Sequence, residues 1–256
     1  MTRFQAAGVA CGFDRTVLLL RDVDFAVDSG TMTAIVGVNG VGKSTLLRVL
    51  AGIRKPHAGK VFIDDVDVYS MRSKQRAKTL TFVGQEETPP GDLTVKEAVC
   101  LGRLPHTKVW QFDSKEETRL VNDALQLVGL QDRAAMECAS LSGGQRRRVL
   151  FARGFAQGTD LIFLDEPTNH LDVHHQLHLL KVLRDSGRTI IATVHDLDLA
   201  MSHFDHVVVL DHGGVVASGP PESVLIPENL RKVFEVEAFV TRHPGASRSH
   251  VIIDSL

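Results

Sequence analysis

GVNGVGKST, residues 37–45, is the stretch that decides the fold prediction. It matches the pattern G-x-x-x-x-G-K-[ST], follows the apolar run TMTAIV at 31–36 and leads into the helical pattern KSTLLRVLAG at 43–52. In this strand–loop–helix context, glycines let the backbone wrap a phosphate, and the free N–H groups of the helix N-terminus point at it. We predict that Lys43 contacts the β- and γ-phosphates of a nucleotide and that Ser44 is a ligand of Mg²⁺.

Apolar segments rich in β-branched residues alternate with helical patterns along the rest of the chain. This alternation predicts an α/β fold, in which helices cover a parallel sheet. The predicted strands are 31–37, 60–65, 79–85, 160–166, 188–195 and 206–212, and the predicted helices are 43–52, 94–102, 115–129, 144–155 and 173–185. Residues 86–154 contain no convincing buried strand. We therefore predict that they form a helical insertion between the sheet-forming parts 1–85 and 155–256.

The composition is that of an ordinary globular protein, with 256 residues, 43% hydrophobic and 23% charged. It predicts one domain, 1–256, with a subdomain. The net charge of −2 gives no reason to expect a nucleic-acid partner. Cys11, Cys100 and Cys138 are far apart and predict reduced thiols rather than a disulfide framework or a zinc site. The sequence contains no secretory signal or spanning run, so a membrane role is expected to come through a partner.

Polar side chains follow the apolar part of three predicted strands. DLIFLDEP, 160–167, places Asp165 and Glu166 at the carboxyl end of a strand, where α/β sheets bind ligands. We predict that Asp165 holds Mg²⁺ and that Glu166 faces the attacking water as a general base. His195 and Gln85 end two other strands. Each alone is more often a structural residue, but in this layer His195 could contact the γ-phosphate, and Gln85 could contact Mg²⁺ and the lytic water.

LSGGQRRRV, residues 141–149, indicates a second anion-binding helix start in the same chain. Together with GVNGVGKST, Gln85, LIFLDE and His195, in this order, it makes the chain resemble the nucleotide-binding subunit of ABC transporters. LSGGQ is the most specific of these elements, because other P-loop NTPases lack it. The resemblance covers nearly the whole chain.

The resemblance implies a fold and an assembly. The fold is a P-loop NTPase (RecA-like) core with a parallel sheet, an antiparallel β part at the N-terminal side and an inserted α-helical subdomain that bears LSGGQ. ATP and Mg²⁺ are the implied cofactors. Two subunits form a head-to-tail homodimer, in which each ATP lies between the Lys43 loop of one subunit and the LSGGQ segment of the other. Asp172, in TNHLD, is expected at the dimer interface.

The resemblance also assigns roles to individual residues. Phe13 is the candidate for stacking on adenine. The expected ATP-binding residues are Phe13, Asn39, Gly40, Gly42, Lys43, Ser44 and Thr45, and the expected contacts to the partner subunit's ATP are Ser142, Gly143, Gly144 and Gln145. The expected Mg²⁺ ligands are Ser44, Gln85 and Asp165. Val38 and Val41 depart from the Pro and Ala that are common in the family, but the glycines of the loop are kept.

Three further segments resemble one branch of the family, the importers of ferric siderophores, haem and cobalamin. They are LGRLPH at 101–106, TNHLD at 168–172 and PPESVLIPENLRKVFEVEA at 220–238. This branch implies an integral-membrane permease, which docks near 101–110, and indirectly an extracellular or periplasmic substrate-binding protein. The expected location is peripheral, on the cytoplasmic face of the cell membrane. The alternatives are a soluble ABC ATPase that acts on a cytoplasmic complex and a non-hydrolysing, ATP-switched scaffold.

Two other features have competing interpretations. The segment NHLDVHHQLHLL contains His170, His174, His175 and His178, and the spacing of His174 and His178 can bind zinc. A solvent-exposed helix face is the favoured interpretation there. Trp110 and Phe112 follow the segment that resembles a permease-docking site. For these two side chains we favour a patch that faces a partner over simple local packing.

Overall fold

The computed structural model describes residues 3–12, 17–106, 115–169, 171–242, 244–245 and 248–255. The chain divides into two compact units. The core unit takes its residues from 1–71, 163–167 and 187–256, and the helical unit from 72–162 and 168–186. The narrower insertion predicted at 86–154 stays a prediction.

Each predicted strand and helix has a counterpart in the structure, which also contains strands and helices that were not predicted. The strands are β1 (Phe4–Gly12), β2 (Leu18–Val27), β3 (Met32–Gly37), β4 (Ala58–Ile63), β5 (Val66–Asp67), β6 (Leu80–Val83), β7 (Leu161–Leu164), β8 (Thr189–Thr193), β9 (His206–Asp211), β10 (Gly214–Gly219), β11 (Glu237–Thr241) and β12 (His250–Ser255). The helices are α1 (Lys43–Leu50), α2 (Ser73–Thr79), α3 (Val95–Cys100), α4 (Lys115–Leu127), α5 (Gly143–Gln157), α6 (Val173–Asp185), α7 (Leu197–His203), α8 (Pro221–Val224) and α9 (Pro227–Phe234).

The core unit contains a mainly parallel sheet with β3 at its centre. β3 pairs in parallel with β8 on one side and β9 on the other, and β10 runs antiparallel to β9 at the edge. Every residue of β3 and β8 is buried. Burial on both faces explains why these strands are continuous apolar runs rather than alternating ones. The predicted α/β fold with a parallel sheet is confirmed.

A second sheet of the core unit is antiparallel and has the order β2–β1–β4–β5. Phe4 of β1 is fully buried, and its ring centroid lies 5.6 Å from that of Phe163 and 6.0 Å from that of Phe25. The contact with Phe163 of β7 attaches the sheet to the interior of the unit, whereas the contact with Phe25 lies within the sheet. The antiparallel β part expected at the N-terminal side is confirmed.

The C-terminal part of the core unit ends in a hairpin that the sequence analysis does not predict. β11 and β12 pair antiparallel, with Phe239 opposite Ile252. The segment 242–249, which includes residues outside the described part of the chain, connects these strands.

The helical unit is organised around α5. Helices α3 and α4 pack against it, and its buried residues include Val149, Leu150 and Phe151. Arg103 is almost fully buried because its guanidinium donates to the carbonyl oxygen of Ala156 at 2.8 Å and pairs with Glu117. The prediction of an inserted helical part is confirmed. Within the described residues, no helix is both long and apolar enough to cross a bilayer.

Candidate functional site

The loop between β3 and α1 has a backbone that only glycine adopts easily. Gly40 has φ +79° and Gly42 has φ +110°, both in the left-handed region. Gly42 is the N-cap of α1, and because glycine has no side chain, the N–H groups of the first turn receive no side-chain cap. The N-terminal N–H groups of a helix lack intrahelical acceptors, so this loop is suited to an anion.

Lys43, the first residue of α1, is held inside this loop. Its side-chain amine donates hydrogen bonds to the carbonyl oxygens of Gly37 at 2.8 Å and Val38 at 3.1 Å, and the residue is 5% exposed. Burial lowers the pKa of the Lys43 ammonium, and the carboxylates of Glu166 and Asp165 oppose that shift. A cation at this position complements a polyanionic ligand in the loop.

Asp165 lies at the carboxyl end of β7 and is fully buried. The Ser44 hydroxyl donates to its Oδ1 at 2.8 Å, and Arg48 Nη2 lies 3.7 Å from its Oδ2. Ser44 and Arg48 are one turn apart on α1, so both face the same carboxylate. These contacts offset part of the cost of burying a charged group.

Glu166 is connected to β8 through a buried hydroxyl. Its backbone φ is +48°, which is uncommon for a residue with a side chain. The N–H of Glu166 donates to Thr193 Oγ1 at 2.8 Å, and the same hydroxyl donates to Asp165 Oδ1 at 2.8 Å. Glu166 Oε1 and His195 Nε2 form a hydrogen bond. Thr193 is not among the predicted site residues, although a threonine that ends an apolar strand two residues before His195 is a usable signal.

We expect Thr193→Val to lower the free energy of unfolding by about 1–3 kcal/mol, because the buried Glu166 N–H loses its acceptor. Turnover should fall as well, since Glu166 loses a contact that holds its backbone in place. Thr33→Val is the matched control: Thr33 is equally buried on β3, and its hydroxyl has no hydrogen-bond partner among the described residues. Denaturant unfolding of both variants checks this. Equal destabilisation of the two would contradict the proposed importance of the Thr193 hydroxyl.

The LSGGQ segment forms the start of α5 in the helical unit. Ser142 is the N-cap: its hydroxyl accepts from the Gln145 N–H at 3.3 Å, while Gln145 Oε1 accepts from the Ser142 N–H at 3.0 Å. This reciprocal capping box fixes the loop. Gly143 is exposed, and a Cβ there would meet nothing within 4 Å.

Asp172 lies on the same cavity as this loop. It caps α6, since its Oδ1 accepts from the His175 N–H at 2.9 Å. The cavity has a volume of about 250 Å³, and its lining includes Ser142, Gly144, Gln145, Arg148, Asp172 and His175. Burial lowers the pKa of the Arg148 guanidinium. The helical unit therefore brings together the LSGGQ residues and the predicted interface residue.

The other predicted site residues either lie at separate positions in the structure or fall outside its described part. Gln85 follows β6 in the helical unit, where its carbonyl oxygen accepts from Arg147 Nη1 at 3.2 Å. Asn39 is exposed. Thr45, two residues after Lys43 in the sequence, is buried. The predictions for Phe13, Trp110, Phe112 and His170 fall outside the described residues. The core unit thus brings together Lys43, Ser44, Asp165, Glu166 and His195.

The ABC transporter family model matches residues 20–169, in which both glycine-rich loops lie. The chain belongs to the ABC transporter family. The iron(3+)-hydroxamate import ATP-binding protein of Bacillus subtilis is 35% identical over 248 residues, which is 95% of this chain and 91% of that protein. The predicted resemblance to the ABC family, and to its iron-siderophore and cobalamin import branch, is therefore confirmed.

Solved structures of ABC proteins agree with this family membership. A metal-chelate type ABC transporter in an inward-facing conformation aligns with a TM-score of 0.84 and 26% identity, covering 99% of this chain and 98% of that one. A dimeric ATP-binding cassette with bound ADP and phosphate aligns with a TM-score of 0.75 and 25% identity, covering 85% and 98%. The chain is an ABC ATPase with a P-loop NTPase core, and it uses a nucleotide.

Proposed function

We propose that this ABC ATPase powers a membrane importer whose cargo is a metal chelate: a ferric siderophore, haem or cobalamin. Two similarities support this cargo class. The relative that matches 95% of the chain is named for iron(3+)-hydroxamate import, and the structure that aligns over 99% of the chain is of the metal-chelate type. The cargo itself is expected to be recognised by the permease and an extracellular or periplasmic substrate-binding protein.

The observation that supports hydrolysis is the group of side chains beside the Lys43 loop. Lys43 and the N-terminus of α1 bind the phosphates, with Asn39, Gly40, Gly42 and Thr45 completing the loop. Phe13 is proposed to stack on adenine. Glu166 accepts the proton of the attacking water, and its hydrogen bond to His195 orients its carboxylate. His195 in turn is proposed to contact the γ-phosphate.

The donor atoms at this site fit Mg²⁺. Ser44 Oγ and Asp165 Oδ1 are hard oxygen atoms 2.8 Å apart, and Mg²⁺ prefers oxygen ligands. Ser44, Asp165 and Gln85 are the proposed ligands. When bound, the ion neutralises negative charge on the phosphates.

The LSGGQ residues are proposed to complete the site of a second copy of the chain. Ser142, Gly143, Gly144 and Gln145 would then contact the ATP held by the partner's Lys43 loop, and Asp172 would lie at the interface. The arrangement is supported by the cavity that LSGGQ and Asp172 share and by the alignment with a dimeric cassette. Such a homodimer closes on ATP and opens after phosphate release.

An importer subunit is expected to be peripheral, on the cytoplasmic face of the cell membrane, and bound to a permease. Tagged chain isolated from native membranes in mild detergent should therefore retain a polytopic membrane protein. Leu104, which is 50% exposed in the predicted docking segment, offers a test, and Ile53, which is 57% exposed in the core unit, offers the control. Leu104→Glu should lose the membrane protein and Ile53→Glu should keep it.

The competing function is that of a soluble ABC ATPase acting on a cytoplasmic complex. In that case, the same isolation from cells would yield only soluble partners, and neither variant would change membrane association.

A further inference from the structure

Three side chains at the N-terminal end of α6 have the chemistry and spacing of a metal site. Asp172, His174 and His175 each offer one ligand atom, and these atoms lie within 4.8 Å of one another. Asp172 and His174 are exposed, and His175 is half-buried. ATP hydrolysis, as described above, uses neither histidine.

Side-chain rotations must adjust the separations of the three ligand atoms, which lie within 4.8 Å of one another, before they hold one ion. Zinc lies about 2.0–2.2 Å from imidazole nitrogen and carboxylate oxygen, which places tetrahedral ligands about 3.4 Å apart. Asp172 Oδ2 accepts a hydrogen bond from His175 Nδ1 at 2.8 Å, so an ion that binds this nitrogen replaces its proton, which is released to solvent. The other oxygen, Oδ1, accepts the His175 N–H that caps α6, so Asp172 can bind an ion and keep the cap.

His178 differs from His174 and His175 in its geometry within this segment. His174 and His178 have the i,i+4 spacing of many zinc sites, but their rings are parallel, with an interplanar angle of 1° and centroids 6.5 Å apart. His178 Nε2 also lies 3.0 Å from the carbonyl oxygen of Leu127, as in a hydrogen bond. His178 is on the same helix but is not part of the group of ligand atoms that lie within 4.8 Å of one another.

We propose that Asp172, His174 and His175 bind one divalent first-row transition ion, with Zn²⁺ as the representative species and water completing four-coordination. Two imidazoles and one carboxylate are ligands that favour such ions over Mg²⁺. The site shares Asp172 and His175 with the cavity at the start of α5. An occupied site adds positive charge to that cavity.

Titration of the full-length protein without an affinity tag tests the proposal. After chelator treatment, the nucleotide-free protein is titrated with Co²⁺ in excess Mg²⁺, followed by the visible absorption of four-coordinate Co²⁺, and Zn²⁺ then displaces the Co²⁺. We expect one ion per chain. Asp172→Asn, which keeps a good N-cap, and His174→Gln should each raise Kd at least about tenfold. His178→Gln should leave Kd unchanged.

The thermal unfolding temperatures of the metal-free variants show whether weaker metal binding results from a missing ligand or from a less stable fold. The proposal requires Asp172→Asn and His174→Gln to unfold at nearly the temperature of the unsubstituted protein. Three results would overturn it: no saturable Co²⁺ or Zn²⁺ binding, equal affinity in His174→Gln, or loss of binding in His178→Gln.

Discussion

Replacing Glu166 by Gln is expected to lower ATP turnover by about 10²-fold or more while ATP binding persists. Glu166 is 7% exposed and lies next to Asp165 at the end of β7. A Gln side chain has nearly the same shape, and its Oε1 can still accept from His195, but an amide does not accept a proton from water. Steady-state phosphate release measures the turnover, and equilibrium binding of labelled ATP measures the affinity.

The same substitution should accumulate an ATP-bound dimer, because the closed state forms and then fails to hydrolyse its nucleotide. Size-exclusion chromatography with ATP should show a shift to dimer that ADP does not produce. Glu235→Gln is the matched control, since Glu235 also has a left-handed backbone, with φ +56°, but is exposed and remains outside the proposed site. If Glu166→Gln turned over ATP at a near-normal rate, Glu166 would not be the general base.

The sequence predicts the elements whose signals are local. The segment 37–45 matches a spaced glycine pattern, and it does connect β3 to α1. The strands β3, β7 and β8 are continuous apolar runs because each is buried along its length. Helix α6 has the predicted bounds, 173–185, since Asp172 supplies a capping side chain immediately before it.

Other features of the fold and the site depend on contacts between residues far apart in the sequence, which a local sequence pattern does not contain. Strand β2 is exposed at many positions, so it lacks the continuous apolar run of a buried strand. Glu166 and Thr193 are 27 residues apart in sequence, and their hydrogen bond exists only once β7 and β8 are both folded. The left-handed backbone of Glu166 likewise requires surrounding structure to hold it.

The LSGGQ segment duplicates the phosphate loop when only the sequence is considered, but in the folded chain it shares a cavity with a distant residue. By sequence it is a second anion-binding helix start in a chain that already has one. In the helical unit, Ser142 and Asp172 line one cavity although they are 30 residues apart. ATP, the proposed ligand of that cavity, needs phosphate-binding groups beyond these two residues. A second copy of the chain has them in its Lys43 loop.

Mixing two inactive variants is therefore expected to restore ATP hydrolysis. Lys43→Ala removes the buried amine from the phosphate loop, and Ser142→Arg places a large cation where LSGGQ is proposed to receive the partner's ATP. Each homodimer then has two defective sites. In the mixed dimer, the intact Lys43 of one subunit faces the intact Ser142 of the other. With random exchange and independent sites, the recovered activity should reach about a quarter of the unsubstituted rate.

The arrangement of the two defects, rather than their number, decides the result. A chain with both Lys43→Ala and Ser142→Arg, mixed with a Lys43→Ala chain, forms dimers without any intact Lys43 and should stay inactive. Two different tags on the two chains allow the mixed dimer to be isolated and counted before phosphate release is measured. Mixed dimers of the single variants that form but hydrolyse no ATP would contradict independently active sites. If no mixed dimer forms at all, the head-to-tail assembly itself is contradicted.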